Sequence, residues 1–353
     1  MNEFEISWQS FVENGDFLSF TRQWGKLSTN ARSLGLKEGV NKGVKVTLKD
    51  IGIIQFEPKL PSDTYLVISS GIHGNETAPI EIVDQFIKDI WSGKLIVRVN
   101  LLLIIGNPPA VNTGKRFETQ NLNRLFCGRY LDCADEDYET RRAEILEKWV
   151  SDFYAMSKEC SSSVNRYHFD LHTAIRGSQY EKFVLYPYLD GRKVDKDHIA
   201  FFGGSDISVV LLGNQPVGTF CYFTSHKFKA MSATVELGKV LPFGENDMNK
   251  FSGIDHNLRC LIEDAEPRKV SFSNDDYKVF NIKQEIIKAN ENFNLLLDDD
   301  VKNFTSFEKG HLLASDGKDE KYIIEKDGEA IVFPNNKVPV GQRVGVLLEE
   351  INL

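Results

Sequence analysis

The chain has 353 residues and a mass of 40.1 kDa, which at about 150 residues per domain suits one large domain or two of unequal size. Apolar residues make up 41% and charged residues 26%, a globular balance that excludes a disordered or collagen-like chain. The net charge of −9 argues against a protein that coats nucleic acid, because phosphate neutralisation needs a basic face. It leaves room for a small anionic substrate in a locally positive pocket.

The longest purely aliphatic run, residues 101–105, is far short of the roughly 18 needed to cross a bilayer, so no membrane partner is expected. The start, MNEFEISWQS, is acidic and lacks a basic segment followed by an apolar one, so no secretory signal is expected. Cys127, Cys133, Cys160, Cys221 and Cys260 are odd in number and form no C-x-x-C pair. They read as reduced thiols of a cytoplasmic protein, not as a disulfide framework or a cysteine-based zinc site.

The first 40 residues carry apolar side chains at irregular spacing and are expected to form a helix or two. From Val44 the texture turns β-like, with VKVTL, IGIIQF and TYLVISSG. An amphipathic helix follows. Pro79 suits its first turn, and Ile80, Val83, Ile87 and Ile90 share one face, with Glu81, Asp84, Gln85 and Lys88 elsewhere. Residues 98–106 read as a strand buried on both faces, and a Pro108-Pro109 turn follows it. Helical periodicity over 135–158, 192–202 and 245–262 alternates with strand patterns over 166–173, 183–186, 208–212 and 232–237. Such alternation implies an α/β fold, a mixed, largely parallel sheet covered by helices. Past residue 262 short β segments are separated by turn signals such as Asp316-Gly317 and Asp327-Gly328. The expected organisation is an α/β domain over 1–262 that carries the chemistry and a smaller all-β domain over 263–353.

Four segments carry that chemistry. In Ser70-Gly71-Ile72-His73-Gly74-Asn75-Glu76-Thr77 a strand ends, a turn intervenes and a helix begins, the kind of place where open α/β sheets bind ligands. An imidazole from His73 and a carboxylate from Glu76 can converge there on one cation. The bland reading is a hydrogen-bonded histidine and a glutamate favoured by a helix N-terminus. In His168-Phe169-Asp170-Leu171-His172-Thr173 strand alternation sends His168, Asp170 and His172 to one face, where polar groups need partners or a metal. His172 offers a third ligand, and Asp170 can orient it. Two histidines and one carboxylate leave a zinc position open for water, the pattern of a catalytic site. Ordinary buried hydrogen bonding remains the alternative for His168 and Asp170.

The third segment, Ala233-Thr234-Val235-Glu236-Leu237-Gly238, sets a carboxylate in an otherwise apolar strand. Beside a metal-bound water Glu236 would act as general base and then acid; otherwise it is a strand-end glutamate reaching solvent. The fourth runs from Lys115 to Arg124 and offers Arg116 and Arg124 with amide side chains between them. Guanidinium groups bind carboxylates and stabilise oxyanions, although a solvated basic loop has the same composition.

In order, H-x-x-E, an N-P-x-A turn, R-x(6)-N-R, D-x-H and a late strand glutamate resemble the zinc carboxypeptidase-like superfamily. More narrowly they resemble the succinylglutamate desuccinylase/aspartoacylase family, over residues 66–239, and the β-rich tail suits that family's C-terminal domain. The resemblance implies one Zn²⁺ per subunit held by His73, Glu76 and His172, with Glu236 as general acid/base. It implies that Arg116 polarises the scissile carbonyl and holds its oxyanion, while Asn123 and Arg124 grip a substrate carboxylate. Arg176, four residues after His172, is close enough in sequence to hold a further carboxylate. Asn121 departs from the pattern, since aspartoacylases have an acidic residue before L-N-R. The stretches 172–178 and 233–239 look like the desuccinylase branch. The implied reaction is hydrolysis of N-succinyl-L-glutamate to succinate and L-glutamate, the last step of the arginine succinyltransferase route, in the bacterial cytoplasm. The alternatives are another N-acyl-amino-acid deacylase, aspartoacylase-like, or a small carboxypeptidase. A metal-binding or regulatory protein without turnover would need neither Glu236 nor Arg116. Oligomeric state is left open.

Overall fold

The computed structural model begins with two aromatic-rich helices, α1 (Glu3–Asn14) and α2 (Phe17–Trp24), which bury Phe4, Trp8, Phe11, Phe17 and Phe20. The structure describes residues 3–27, 37–159, 164–298, 300–317 and 320–353. Strands β1 (Lys37–Asn41), β2 (Val44–Asp50), β3 (Ile53–Glu57) and β4 (Thr64–Ser70) follow, then α3 (Thr77–Ser92), β5 (Asn100–Ile105), α4 (Pro108–Thr113) and α5 (Tyr138–Ala155). The chain continues through β6 (Asn165–Ala174), β7 (Phe183–Tyr186), α6 (Lys196–Gly203), β8 (Val209–Leu212), α7 (Phe220–Phe228), β9 (Met231–Lys239) and α8 (Ser252–Ile262). It ends in β10 (Lys278–Ile287), β11 (Phe293–Leu295), β12 (Thr305–Phe307), β13 (Leu312–Asp316), β14 (Glu320–Ile323), β15 (Glu329–Val332) and β16 (Arg343–Ile351).

Thirteen strands form one sheet in the order β1-β2-β3-β5-β4-β6-β9-β7-β8-β10-β16-β15-β12. Its centre, β5-β4-β6-β9, is parallel, and antiparallel pairs flank it. Every residue of β5 is buried. Leu101, Leu103 and Ile105 pack with α3 on one face, and Leu102 and Ile104 pack with α5 on the other. This is the expected mixed, largely parallel sheet under helices. From β4 the chain passes through α3 to β5 on one side, whereas β6 lies on the other side of β4. The carboxyl ends of β4 and β6 thus border a crevice at a topological switch point, the usual ligand site of such sheets.

The C-terminal strands pair antiparallel among themselves, with a separate three-stranded sheet β11-β13-β14. Strand β10 also pairs parallel with β8, so the main sheet runs without a break from one region into the other. Among the described residues no helix is long and apolar enough to cross a membrane. Cys127, Cys133, Cys221 and Cys260 are free thiols, and Cys160 lies outside the described residues.

Three local features differ from expectation. Pro108-Pro109 opens a helix, because both prolines sit at its first positions, where an N–H has no partner anyway, and the Asn107 side chain caps Ala110 N. Helix α7 was not legible: its residues 220–225 are all buried, so no polar face marks a helical period, and Phe, Cys, Tyr and Thr are weak helix formers. Residues 269–272, KVSF, the first of the short β segments expected past residue 262, form no strand.

Candidate active site

The turn after β4 depends on glycine. A Cβ on Gly74 would lie 2.0 Å from the carbonyl carbon of Ala110, so only glycine lets the turn rest against α4. Gly74 N donates to Arg116 O at 3.1 Å, tying this turn to the basic loop. Glu76 stands at the N-cap position of α3, yet its side chain makes no capping bond. It turns instead toward two histidines. His73 Nδ1 is 2.9 Å from Glu76 Oε1, and His172 Nδ1 is 2.8 Å from Oε2. One potential ligand atom from each of the three residues lies within 4.8 Å of the others, and all three side chains are buried.

The outer nitrogen of each ring has its own partner. His172 Nε2 is 2.9 Å from Asp170 Oδ2, and His73 Nε2 is 2.9 Å from Asn121 Oδ1. An acceptor at Nε2, the usual second partner of a metal-bound histidine, draws a ring proton there and makes Nδ1 the nitrogen that would ligate a metal. Thr173 N donates to Glu76 Oε2 at 3.1 Å, and Arg116 Nη1 donates to Oε1 at 2.7 Å. Burial and the Arg116 charge hold His73 at about 4, so it is neutral. Burial opposes charge on His172, but the carboxylates of Asp170 and Glu76 outweigh it and keep its pKa well above the ordinary value. Burial opposes charge on Glu76 as well. His73, His172 and Arg116 outweigh it and hold the carboxyl well below the usual range.

Glu236 arrives by strand register: in the β6–β9 pair it stands directly beside His172. It is 8% exposed, so it does not reach solvent as a strand-end glutamate would. Burial and the nearby Glu76 push its carboxyl up to about 7. Its Oε2 is buried without a hydrogen-bond partner. An orphaned carboxylate oxygen beside two imidazoles and a second carboxylate is a donor set that fits a divalent metal with an open position.

The basic loop lies alongside. Asn123 Oδ1 accepts from Phe220 N at 2.9 Å, so what Asn123 offers a ligand is its amide NH₂. Arg124 Nη1 donates to Asn123 O at 2.6 Å. Arg124 is exposed at its surface, with other guanidinium groups close by. Desolvation there, with Arg343 and Arg116 nearby, brings its guanidinium down to about 9. That crowding of cations is what a carboxylate ligand would relieve. Arg176 is half-buried and donates to Val301 O of the C-terminal region at 3.4 Å. Sequence reading missed the partners Asn121 offers His73 and Ser69 offers Asp170. Asn121 was visible only as a departure from a motif, and nothing marked Ser69.

The fold and site thus define a class, an α/β protein with a candidate metal centre at the switch point of its sheet. Residues 62–262 match the family model "Succinylglutamate desuccinylase/Aspartoacylase catalytic domain", and residues 275–351 match "AstE/AspA barrel-sandwich hybrid domain". The chain belongs to the succinylglutamate desuccinylase/aspartoacylase family. It is 44% identical over 333 residues to a succinylglutamate desuccinylase of Pseudoalteromonas atlantica, covering 94% of this chain and 93% of the relative. It is 41% identical over 330 residues to one of Idiomarina loihiensis, covering 93% and 94%. The crystal structure of the succinylglutamate desuccinylase from Chromobacterium violaceum is similar with a TM-score of 0.82 at 35% identity, covering 96% of this chain and 98% of that one.

Proposed function

We propose that the protein is a zinc-dependent amide hydrolase that converts N-succinyl-L-glutamate and water to succinate and L-glutamate. The carrying observation is the convergence of His73, Glu76 and His172 beside Glu236, whose Oε2 lacks a partner. The names of the relatives support the substrate. His73 and His172, through Nδ1, and Glu76 would hold the zinc. Bound there, zinc supplies a Lewis acid for the amide carbonyl and lowers the pKa of water from 15.7 to about 7.

The chain's own residues supply the rest. Glu236, buried and with an oxygen that has no partner, takes a proton from the attacking water and returns it to the leaving nitrogen. Arg116, half-buried and already aimed at a carboxylate oxygen of Glu76, donates to the developing oxyanion. Asn123 and Arg124 hold a substrate carboxylate, and Arg176 is assigned to the succinyl end. N-succinylglutamate carries three carboxylates, and a protein of net charge −9 must gather cations to bind it. This reading puts the protein at the end of the arginine succinyltransferase route, in the cytoplasm. A panel of N-acyl amino acids assayed with zinc-reconstituted enzyme tests it. Turnover of N-acetylaspartate as fast as N-succinylglutamate would overturn it.

A further inference from the structure

Behind His172 runs a buried polar chain that the proposed reaction does not use. Ser69 Oγ donates to Asp170 Oδ1 at 2.5 Å, while Asp170 Oδ2 faces His172 Nε2. Ser69 Oγ is 2.8 Å from His168 Nε2, and His168 Nδ1 is 2.9 Å from Thr224 Oγ1. Thr224 Oγ1 is in turn 2.9 Å from Ser232 Oγ. Ser69, His168, Asp170 and Thr224 have no exposure and Ser232 has 3%, so no solvent competes for these bonds.

Counting protons gives the chain a direction. An ionised carboxylate can only accept, so the single hydroxyl proton of Ser69 goes to Asp170. The Ser69 oxygen must then accept from His168 Nε2–H. That leaves His168 Nδ1 to accept from Thr224, whose hydroxyl also lies 3.1 Å from Cys221 O. Burial holds His168 at about 4, and a neutral ring is the form this order requires. Its ring packs edge-to-face with Phe220 of α7, with centroids 4.7 Å apart at 80°. Strand β4, strand β6 and helix α7 therefore meet at one imidazole, and the bonds from His168 through Ser69 point toward Asp170. The two oxygens of Asp170 are divided, one held by Ser69 and one facing His172.

We propose that Ser69 and His168 are positioning residues for the metal centre: they fix the rotation of the Asp170 carboxylate, and through it the ring of His172, so that Nδ1 faces Glu76. The proposal rests on reading His73, Glu76 and His172 as the metal ligands. Zinc affinity measured by chelator competition, with the visible spectrum of the Co²⁺-substituted protein, tests it. Ser69→Ala and His168→Leu are each expected to weaken zinc binding about tenfold, the lower end of the range for partners of metal-bound histidines, and to alter the cobalt spectrum. His168→Gln, which keeps a donor toward Ser69, should recover most of the affinity. On an Asp170→Asn background neither change should cost more than about twofold further, because the route to His172 is already cut. Unchanged affinity and spectrum in both single variants overturn the proposal, even if the variants melt earlier. Losses that add in full on the Asp170→Asn background overturn it too. If the metal reading itself is wrong, wild type will take up no stoichiometric zinc, or His73→Ala will keep it, and these results are distinct from the preceding ones.

Discussion

Glu139 offers a test of how the basic loop is held. It lies in the first turn of α5, without exposure, and the loop that carries Arg116, Asn121, Asn123 and Arg124 hangs from it. Its carboxylate accepts from Glu118 N at 2.7 Å, Thr119 N at 3.3 Å, Thr119 Oγ1 at 2.6 Å and Asn107 Nδ2 at 3.1 Å. Glu139→Ala leaves two backbone N–H groups and an amide without an acceptor. An orphaned buried donor costs about 1–3 kcal/mol; the Asn107 amide is fully buried whereas Glu118 and Thr119 are partly open to solvent, so three such penalties, about 9 kcal/mol, are an upper bound. Water entering the emptied space recovers part of this, and we expect about 2–5 kcal/mol in urea unfolding. The loop then shifts relative to the site. A misplacement of about 1 Å costs about 10²-fold, and we expect kcat/KM to fall by about that factor. Stoichiometric zinc should remain, because no ligand is touched, but its affinity should weaken by up to about tenfold, because the loop carries Asn121, the partner of His73. Glu139→Gln keeps the volume but sets an NH₂ against donors, and should fall between the two. Stability within about 1 kcal/mol and kcat/KM within about threefold of wild type for Glu139→Ala would refute the anchoring argument.

Chelation should abolish activity and Zn²⁺ restore it, and His73→Ala, Glu76→Ala and His172→Ala should each lose stoichiometric zinc; one tightly held zinc in all three would falsify the ligand assignment. Glu236→Gln keeps its shape but cannot accept a proton, so zinc should remain while kcat drops by roughly 10²–10⁴, and a near-normal kcat would point to another base. Arg116→Ala should mainly lower kcat, since its partner charge develops during reaction, and Arg124→Ala should mainly raise KM, since a carboxylate is present throughout; steady-state kinetics with these phenotypes exchanged would reverse the roles. N-acetylglutamate lacks the succinyl carboxylate and should fall by at least about 10²-fold in kcat/KM, because a cation is left unpaired, and Arg176→Ala should narrow that gap if Arg176 holds the succinyl end.

The candidate metal group was legible because its parts are local. His73 and Glu76 are three residues apart across a strand end and a helix start, and β-alternation alone puts His168, Asp170 and His172 on one face of β6. The buried strand β5 and most of the helix–strand alternation were legible for the same reason, since hydrophobic period records which face of an element is covered. Long-range pairing is not recorded in that way. Glu236 meets His172 because β9 pairs with β6 in one register out of several. A shift of one residue would turn Glu236 to the opposite face of the sheet. Asn121 reaches His73 across 48 positions, and Ser69 reaches Asp170 across 101. The continuity of β8 with β10 likewise follows from an edge that needed a partner, not from any pattern within either strand. Periodicity marks the face a residue occupies; which residue stands opposite depends on strand register and on the packing of helices between strands, and these exist only once the chain has closed on itself.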